Sequence, residues 1–261
     1  MKVRAQVFWA AKDGNSDDEY EDAYAPDDRL SERPVILAGN PLRFAVADGA
    51  TEASFSRLWA RLLVKGYCES RSRVWSSQAG FRALQHEWAA DVNARALAWY
   101  AEEKARLGAH STLLGVSLIG PRPARAKGQL RRAEIRAVGD TCAFHIRGSR
   151  CGPKVHAVFP LQRSDEFTNS PALLSSVAPL RAIPPRLRTE WRLRRGDNLY
   201  LMTDALACWC LDQCEKAHAP WDDIRARLKD ADRPAFVDWI AHLRSQCGLK
   251  NDDVTLLAIQ T

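Results

Sequence analysis

Three aspartates stand at comparable places along the chain. Asp48 closes the apolar run LRFAVA, Asp204 follows NLYLMT, and Asp252 precedes VTLLAI. Each run is short and rich in β-branched or large apolar residues, so each reads as a strand with a carboxylate at one end. In an antiparallel sheet the end of one strand lies beside the start of its neighbour, so the three side chains can converge on one edge. Clustered carboxylates repel one another, and hard divalent cations with an oxygen preference, Mg2+ or Mn2+, relieve that repulsion. Gly49, directly after Asp48, lets a backbone carbonyl approach an ion closely. Singly, each aspartate could equally start a turn or cap a helix. Spacing alone does not choose among the hydrolases that work with two metals.

The elements that must position these residues follow from periodicity. Residues 2–10 and 42–48 read as strands, the second apolar on both faces and therefore buried. After Gly49, Phe55, Leu58, Trp59, Leu62 and Leu63 recur at helical spacing, with Thr51 or Ser54 as the cap. A Ser-rich link leads to a longer helix over 81–107, ended by Gly108. Strands are expected at 111–119, 130–138, 142–147 and 154–159, with Gly139-Asp140-Thr141 as a tight hairpin turn. Residues 160–188 hold five prolines and no period; an excursion of that length reads as a flap or substrate loop. Strands at 189–194 and 198–203, helices at 205–218, 221–229 and 234–246, and a strand at 253–259 complete the chain. Strands in runs, with helices inserted in pairs, predict an α+β layered sandwich rather than a parallel sheet. No linker divides the chain, so residues 1–261 are expected to form one domain.

Composition narrows the class. At 46% hydrophobic, 261 residues can bury a sizeable core. The N-terminus has no apolar signal region and no stretch is long and apolar enough to span a bilayer, so a soluble cytoplasmic protein is expected, without a membrane partner. Seven cysteines without a CxxC pair read as reduced thiols. Eight carboxylates fall between Asp13 and Asp28, whereas 122–132 and 181–195 are basic, within a net charge of +6. No nucleic-acid-binding motif accompanies the basic stretches, so no nucleic-acid partner is expected. An anionic phosphoprotein suits them as well.

The order and wording of the segments resemble the type 2C (PPM) metal-dependent Ser/Thr protein phosphatases, as a bacterial-type single-domain member. The likeness runs through Glu21-Asp22, Ala47-Asp48-Gly49, Val138-Gly139-Asp140-Thr141, Met202-Thr203-Asp204 and Asp252-Asp253-Val254-Thr255, with the Ser111-Thr112 strand start, and covers nearly the whole chain. It implies a four-layer αββα sandwich, two central antiparallel sheets flanked by helix pairs, with two Mn2+ or Mg2+ ions at one end. By position, Asp48 bridges both ions, the Gly49 carbonyl binds one, and Asp204 and Asp252 hold the other. Glu21 and Asp22 match acids that hold metal-bound water, and Asp140 matches a residue at a weaker third metal site. The implied reaction is hydrolysis of phosphate monoesters by a hydroxide bridging the metals, formed because the ions lower the pKa of bound water from roughly 15.7 toward neutrality. A phosphoprotein substrate and a cognate Ser/Thr kinase follow as partners.

Several positions depart from the family. Asp17 stands where an Arg usually grips the substrate phosphate, which leaves that contact to Lys12, to the 160–188 loop or to the metals. Ala50 replaces a His that serves as general acid in many relatives, which leaves leaving-group protonation to water or another side chain such as His110. Ala205 and Cys208 replace the usual Gly and acid after the third Asp, which weakens the third metal site. Two rivals remain: a phosphatase-fold binding module, favoured by Asp17 and Ala50, and a two-metal nuclease, favoured by the basic stretches. Cys210, Cys214 and His218 fall on one helical face but lack a fourth zinc ligand.

Overall fold

A computed structural model describes residues 1–26, 28–50, 55–69, 77–95, 99–121, 131–149, 152–230 and 232–261. Thirteen strands and six α-helices are described. The strands are β1 (Lys2–Ala10), β2 (Ala23–Ala25), β3 (Val35–Ala38), β4 (Leu42–Ala47), β5 (His110–Ser111), β6 (Leu113–Ile119) and β7 (Arg131–Val138). They continue with β8 (Cys142–Ser149), β9 (Gly152–Phe159), β10 (Leu174–Ser175), β11 (Leu187–Leu193), β12 (Asn198–Met202) and β13 (Val254–Gln260). The helices are α1 (Ser56–Cys68), α2 (Gln78–Asn93), α3 (Trp99–Leu107), α4 (Asp204–Glu215), α5 (Trp221–Asp230) and α6 (Arg233–Gln246).

Two antiparallel sheets carry the fold, ordered β3-β1-β13-β12-β8-β9 and β11-β7-β6-β4-β2. Period-two alternation makes each of them two-faced. From the first sheet Val7, Ala143, Leu201 and Leu257 point inward, meeting Phe44, Val46, Val116 and Ile135 of the second. The outward neighbours Phe8, Phe144, Met202 and Leu256 pack under Leu206, Trp221, Phe236 and Ile240 of α4, α5 and α6. On the other side Ala45, Ala47 and Leu113 face Trp59 and Leu63 of α1 and Leu84 and Trp88 of α2. The result is the expected αββα sandwich, with one core between the sheets and one under each helical layer.

The differences from expectation are local. β2, β3, β5 and β10 are too short to carry a period, and β2 is embedded in the acidic segment. The single helix expected over 81–107 is two. The buried stripe Phe81, Leu84, Trp88 and Val92 ends with α2, and the Arg95 amide closes back on the Val92 carbonyl at 3.1 Å. Ser77 caps α2 by accepting the Gly80 amide at 3.0 Å. The expected caps of α1, Thr51 and Ser54, lie outside the described residues; α1 is entered through Phe55 at φ 68°.

Residues 160–188 lack long elements but are tied down on both sides. Ser164 donates its amide and hydroxyl to Glu215 of α4 at 2.8 and 2.6 Å. Further on, the Trp59 indole donates to the Leu174 carbonyl at 2.8 Å, and Gln85 to the Ser175 and Ala178 carbonyls at 3.1 and 2.9 Å. The excursion therefore reaches from one helical layer to the other. Among the described residues no helix is long and apolar enough to cross a membrane.

Gly115 in β6 marks the tightest contact between a sheet and its helices, because a Cβ there would lie 2.4 Å from the Tyr67 ring. Gly115→Ala should therefore lower stability by roughly 1–3 kcal/mol in denaturant unfolding. Gly148→Ala, with open space around it, should change stability by under about 0.5 kcal/mol.

Candidate metal centre

The end of β4, the β12–α4 junction and the turn before β13 meet at one end of the sandwich, and so join the two sheets. Asp48 follows β4, Asp204 opens α4, and Asp252 and Asp253 precede β13. The backbone of Asp48 is fixed from β5 and β6. Its carbonyl accepts the Thr112 amide at 2.9 Å and the Ser111 hydroxyl at 2.7 Å, and its amide donates to the Thr112 hydroxyl at 3.0 Å. That hydroxyl lies 2.6 Å from the Thr141 hydroxyl, which connects the strand end to the turn holding Asp140. Gly49 bridges to Ser111 through the Asp48 carbonyl and the Ala50 amide, which donates to the His110 carbonyl at 3.0 Å. Among the described residues no group donates to the Gly49 carbonyl. A Cβ at Gly49 would sit 2.7 Å from the Glu21 carbonyl, so only glycine allows that approach.

The Glu21-Asp22 segment is held from the far end of the chain. The Asp253 carboxylate accepts the Lys12 amide at 2.8 Å and the Glu21 amide at 2.7 Å. Thr255 donates its hydroxyl to Asp22 at 2.6 Å and its amide to the Thr203 hydroxyl at 2.9 Å, with the Tyr20 hydroxyl against the same Thr255 oxygen. Ser56, the first residue of α1, donates to the Glu21 carboxylate. Asp253, Tyr20, Thr255, Ser56 and Lys250 contribute to the site without having been singled out as site residues in the sequence. Asp253 and Thr255 lie in the motif around Asp252, whereas Lys250 gives no signal beyond being a cation two residues away.

The electrostatics report convergence. Burial, then Asp22, Asp204, Asp140 and Asp252, push the Asp48 carboxyl well above the usual carboxylate range. Burial, then Asp253, does the same to Asp22, and burial followed by Asp204 raises Asp140 to about 6. The Lys250 ammonium sits between Asp204 and Asp252, 3.1 and 2.8 Å from their carboxylates, and these contacts raise its pKa against the cost of burial.

Among the described residues no three His, Cys, Asp or Glu side chains stand close enough to enclose one ion. Uncompensated carboxylates spread apart, and here a lysine supplies the positive charge. The donor set nonetheless suits hard cations. It consists of oxygen atoms alone, and Asp22 Oδ1 and Asp140 Oδ1 are buried with no hydrogen-bond partner among the described residues.

The remaining expected residues fall as follows. Asp17 forms an ion pair at 2.8 Å with Arg233 of α6, whose guanidinium lies 3.6 Å above the Trp9 ring centre. His110 contributes its backbone carbonyl to the Asp48 turn. Cys210 is buried against Met202, while His218 is exposed and bonded to Gln213, so these two diverge. His145 is buried at the other end of β12, with Nε2 2.7 Å from Asp197. A cleft of approximately 480 Å³ opens beside the centre, between Ser164, Phe167 and Asn169 of the excursion and Asp204, Cys208 and Lys250.

The protein phosphatase 2C family model matches residues 21–251. The chain belongs to the protein phosphatase 2C family. Membership makes it a phosphoprotein phosphatase of a class that uses Mn2+ or Mg2+. Among solved structures, it is similar to the catalytic domain of the serine threonine protein phosphatase PstP in complex with two manganese ions, at 16% identity and TM-score 0.55, over 100% of this chain and 99% of that one. PppA, a regulatory component of the type VI secretion system in Pseudomonas aeruginosa, aligns at 15% identity and TM-score 0.54, over 100% and 99%. The photosystem II phosphatase PBCP aligns at 14% identity and TM-score 0.51, over 99% and 98%. At these identities the likeness is one of fold. No curated protein matches the chain in sequence.

Two outcomes follow for this phosphatase. Lys250 competes with any cation for Asp204 and Asp252, so Lys250→Met should tighten Mn2+ binding about tenfold by calorimetry. Asp140, raised to about 6 in the fold, holds its proton where the unfolded chain has lost it. Its contribution to stability is therefore present at low pH and lost as pH rises through about 6. Without metal, Asp140→Asn should exceed wild type by ~1–2 kcal/mol at about pH 7.5 in urea unfolding, and the advantage should vanish by about pH 4.

Proposed function

We propose that this chain is an active Ser/Thr phosphatase that hydrolyses phosphate monoesters of phosphoproteins with two divalent cations, in residues 1–261 acting as one catalytic unit. The reading rests on one observation. Asp22, Asp48, Asp140, Asp204 and Asp252 interact within one partly buried region, and two of their buried oxygen atoms have no partner among the described residues. Asp48, with the Gly49 carbonyl, would hold the ions together with Asp204 and Asp252, while Glu21, Asp22 and Asp140 would orient water around them. Bound there, the ions supply Lewis-acid activation of water and neutralise charge on the phosphoryl oxygens.

The chain's own residues do the rest. The Ser111, Thr112 and Thr141 hydroxyls hold the turn that carries Asp48, and Asp253 holds the Glu21 backbone against Gly49. Lys250, once displaced from the carboxylates, is a cation available to the substrate phosphate, the contact that Asp17 cannot make. The excursion at 160–188 forms one wall of the adjoining cleft and is the proposed substrate loop. Working in the cytoplasm opposite a Ser/Thr kinase is part of the same proposal.

A phosphatase-fold module that binds phosphoproteins without turnover is the second reading, favoured by the Asp17–Arg233 ion pair at the usual position of the phosphate-binding arginine. An aryl-phosphate assay with Mn2+, Mg2+ and chelator separates the two. Activity should require the cation, and Asp48→Asn or Asp204→Asn should reduce it by at least about a thousandfold. Without metal the melting temperature of Asp48→Asn should not fall, since it removes charge from a repulsive cluster. Full activity in either variant would overturn the assignment, and no cation-dependent turnover in wild type would favour the module.

A further inference from the structure

The outward face of the first sheet changes character along its strands. Near the acidic end it is apolar, with Phe8, Met202 and Leu256 beneath the helices. At the opposite end two successive cross-strand rows carry polar side chains: Gln6 and Tyr200 on either side of Ala258, then Arg4, Gln260 and Asn198. Helix α5 begins by stacking Trp221 on Tyr200 and then carries Arg225 and Lys229, one turn apart, over these rows. Between sheet and helix lies a cavity of approximately 260 Å³. β13 spans seven residues from the acidic end to this one, which places the cavity roughly 20 Å from the metal centre.

Its lining is one-sided in charge. Arg4 from the sheet and Arg225 and Lys229 from the helix face it, with no carboxylate lining it among the described residues. Asp222, on the preceding turn of α5, lies 3.8 Å from the Arg225 guanidinium. Among the described residues Arg4 and Lys229 have no ion-pair partner. Two polar side chains of the sheet also reach the cavity. Gln6 and Tyr200, otherwise packed into the sheet at 5% and 1% exposure, line it, and among the described residues neither the Gln6 amide nor the Tyr200 hydroxyl has a hydrogen-bond partner in the protein. An amide and a phenol open to the cavity beneath cations from two walls suit a polar anionic occupant. The guanidinium fork matches phosphate oxygens, and a half-open cavity of this volume has the size of a small molecule.

We propose that this cavity is a binding site for a small phosphorylated molecule, separate from the metal centre and held by Arg4, Arg225 and Lys229 with Gln6 and Tyr200 as its hydrogen-bonding floor. β12 and β13, whose residues Asn198, Tyr200, Ala258 and Gln260 also line the cavity, run directly to Asp204 and Asp252, so an occupant touches the strands that lead to the acidic centre. The site does not depend on whether the centre is active.

Inorganic pyrophosphate titrated calorimetrically into the full chain, with chelator present, is the test. Wild type should bind saturably at one site, Arg4→Ala and Lys229→Ala should each weaken binding about tenfold, and Arg61→Ala, an exposed cation on α1, should leave it unchanged. Arg4 and Lys229 are exposed, so their truncation leaves the melting temperature in place, which is checked alongside. Absence of saturable binding in wild type, or equal weakening by Arg61→Ala, would overturn the proposal.

Discussion

Carboxylates held near one another in a half-buried place repel, and that repulsion is the constraint around which one end of this molecule is organised. Burial and neighbouring acids together push the Asp48 and Asp22 carboxyls far up and Asp140 to about 6. A fold tolerates such an arrangement only if other contacts oppose it. Here they are backbone hydrogen bonds to Asp253, the Thr255 bonds to Asp22 and Thr203, and the hydroxyl chain from Ser111 to Thr141. Each connects segments distant in sequence, so the full sandwich must form before the acids come together. The Lys250 ammonium lowers the cost further and is a charge that an arriving divalent cation can displace.

The two-sheet architecture makes the convergence possible. β12 and β13 are neighbours and antiparallel, so the end of one and the start of the other coincide. β4 belongs to the facing sheet, and close packing of small and branched side chains between the sheets brings its end alongside. The same geometry creates a second end with the opposite charge. There the first sheet places Arg4, Gln6 and Gln260 beneath α5, so one set of strands has an anionic terminus and a cationic one.

Much of this was legible in the sequence. The long strands and the helices of the second half had clear periods, and Asp48, Asp204 and Asp252 were visible because each abuts an apolar run. The short strands were not, since two to four residues carry no period and β2 lies among acids. The split between α2 and α3 was hidden because the composition stays helical across it. Asp253 and Thr255 were within reach as parts of the motif, but what each side chain bonds to is set by tertiary contacts with residues more than two hundred positions away. Lys250 and the Asp17–Arg233 pair show the same limit, because pairing between exposed loops and helix ends leaves no local signature.

The central claim is that the acidic end coordinates two cations in place of Lys250. Anomalous diffraction from crystals grown with Mn2+ tests it most directly. Two peaks should appear within about 2.0–2.3 Å of carboxylate oxygens of Asp48, Asp204 and Asp252, with the Lys250 ammonium moved away. An acidic end without peaks, and with Lys250 still joining Asp204 to Asp252, would contradict the account.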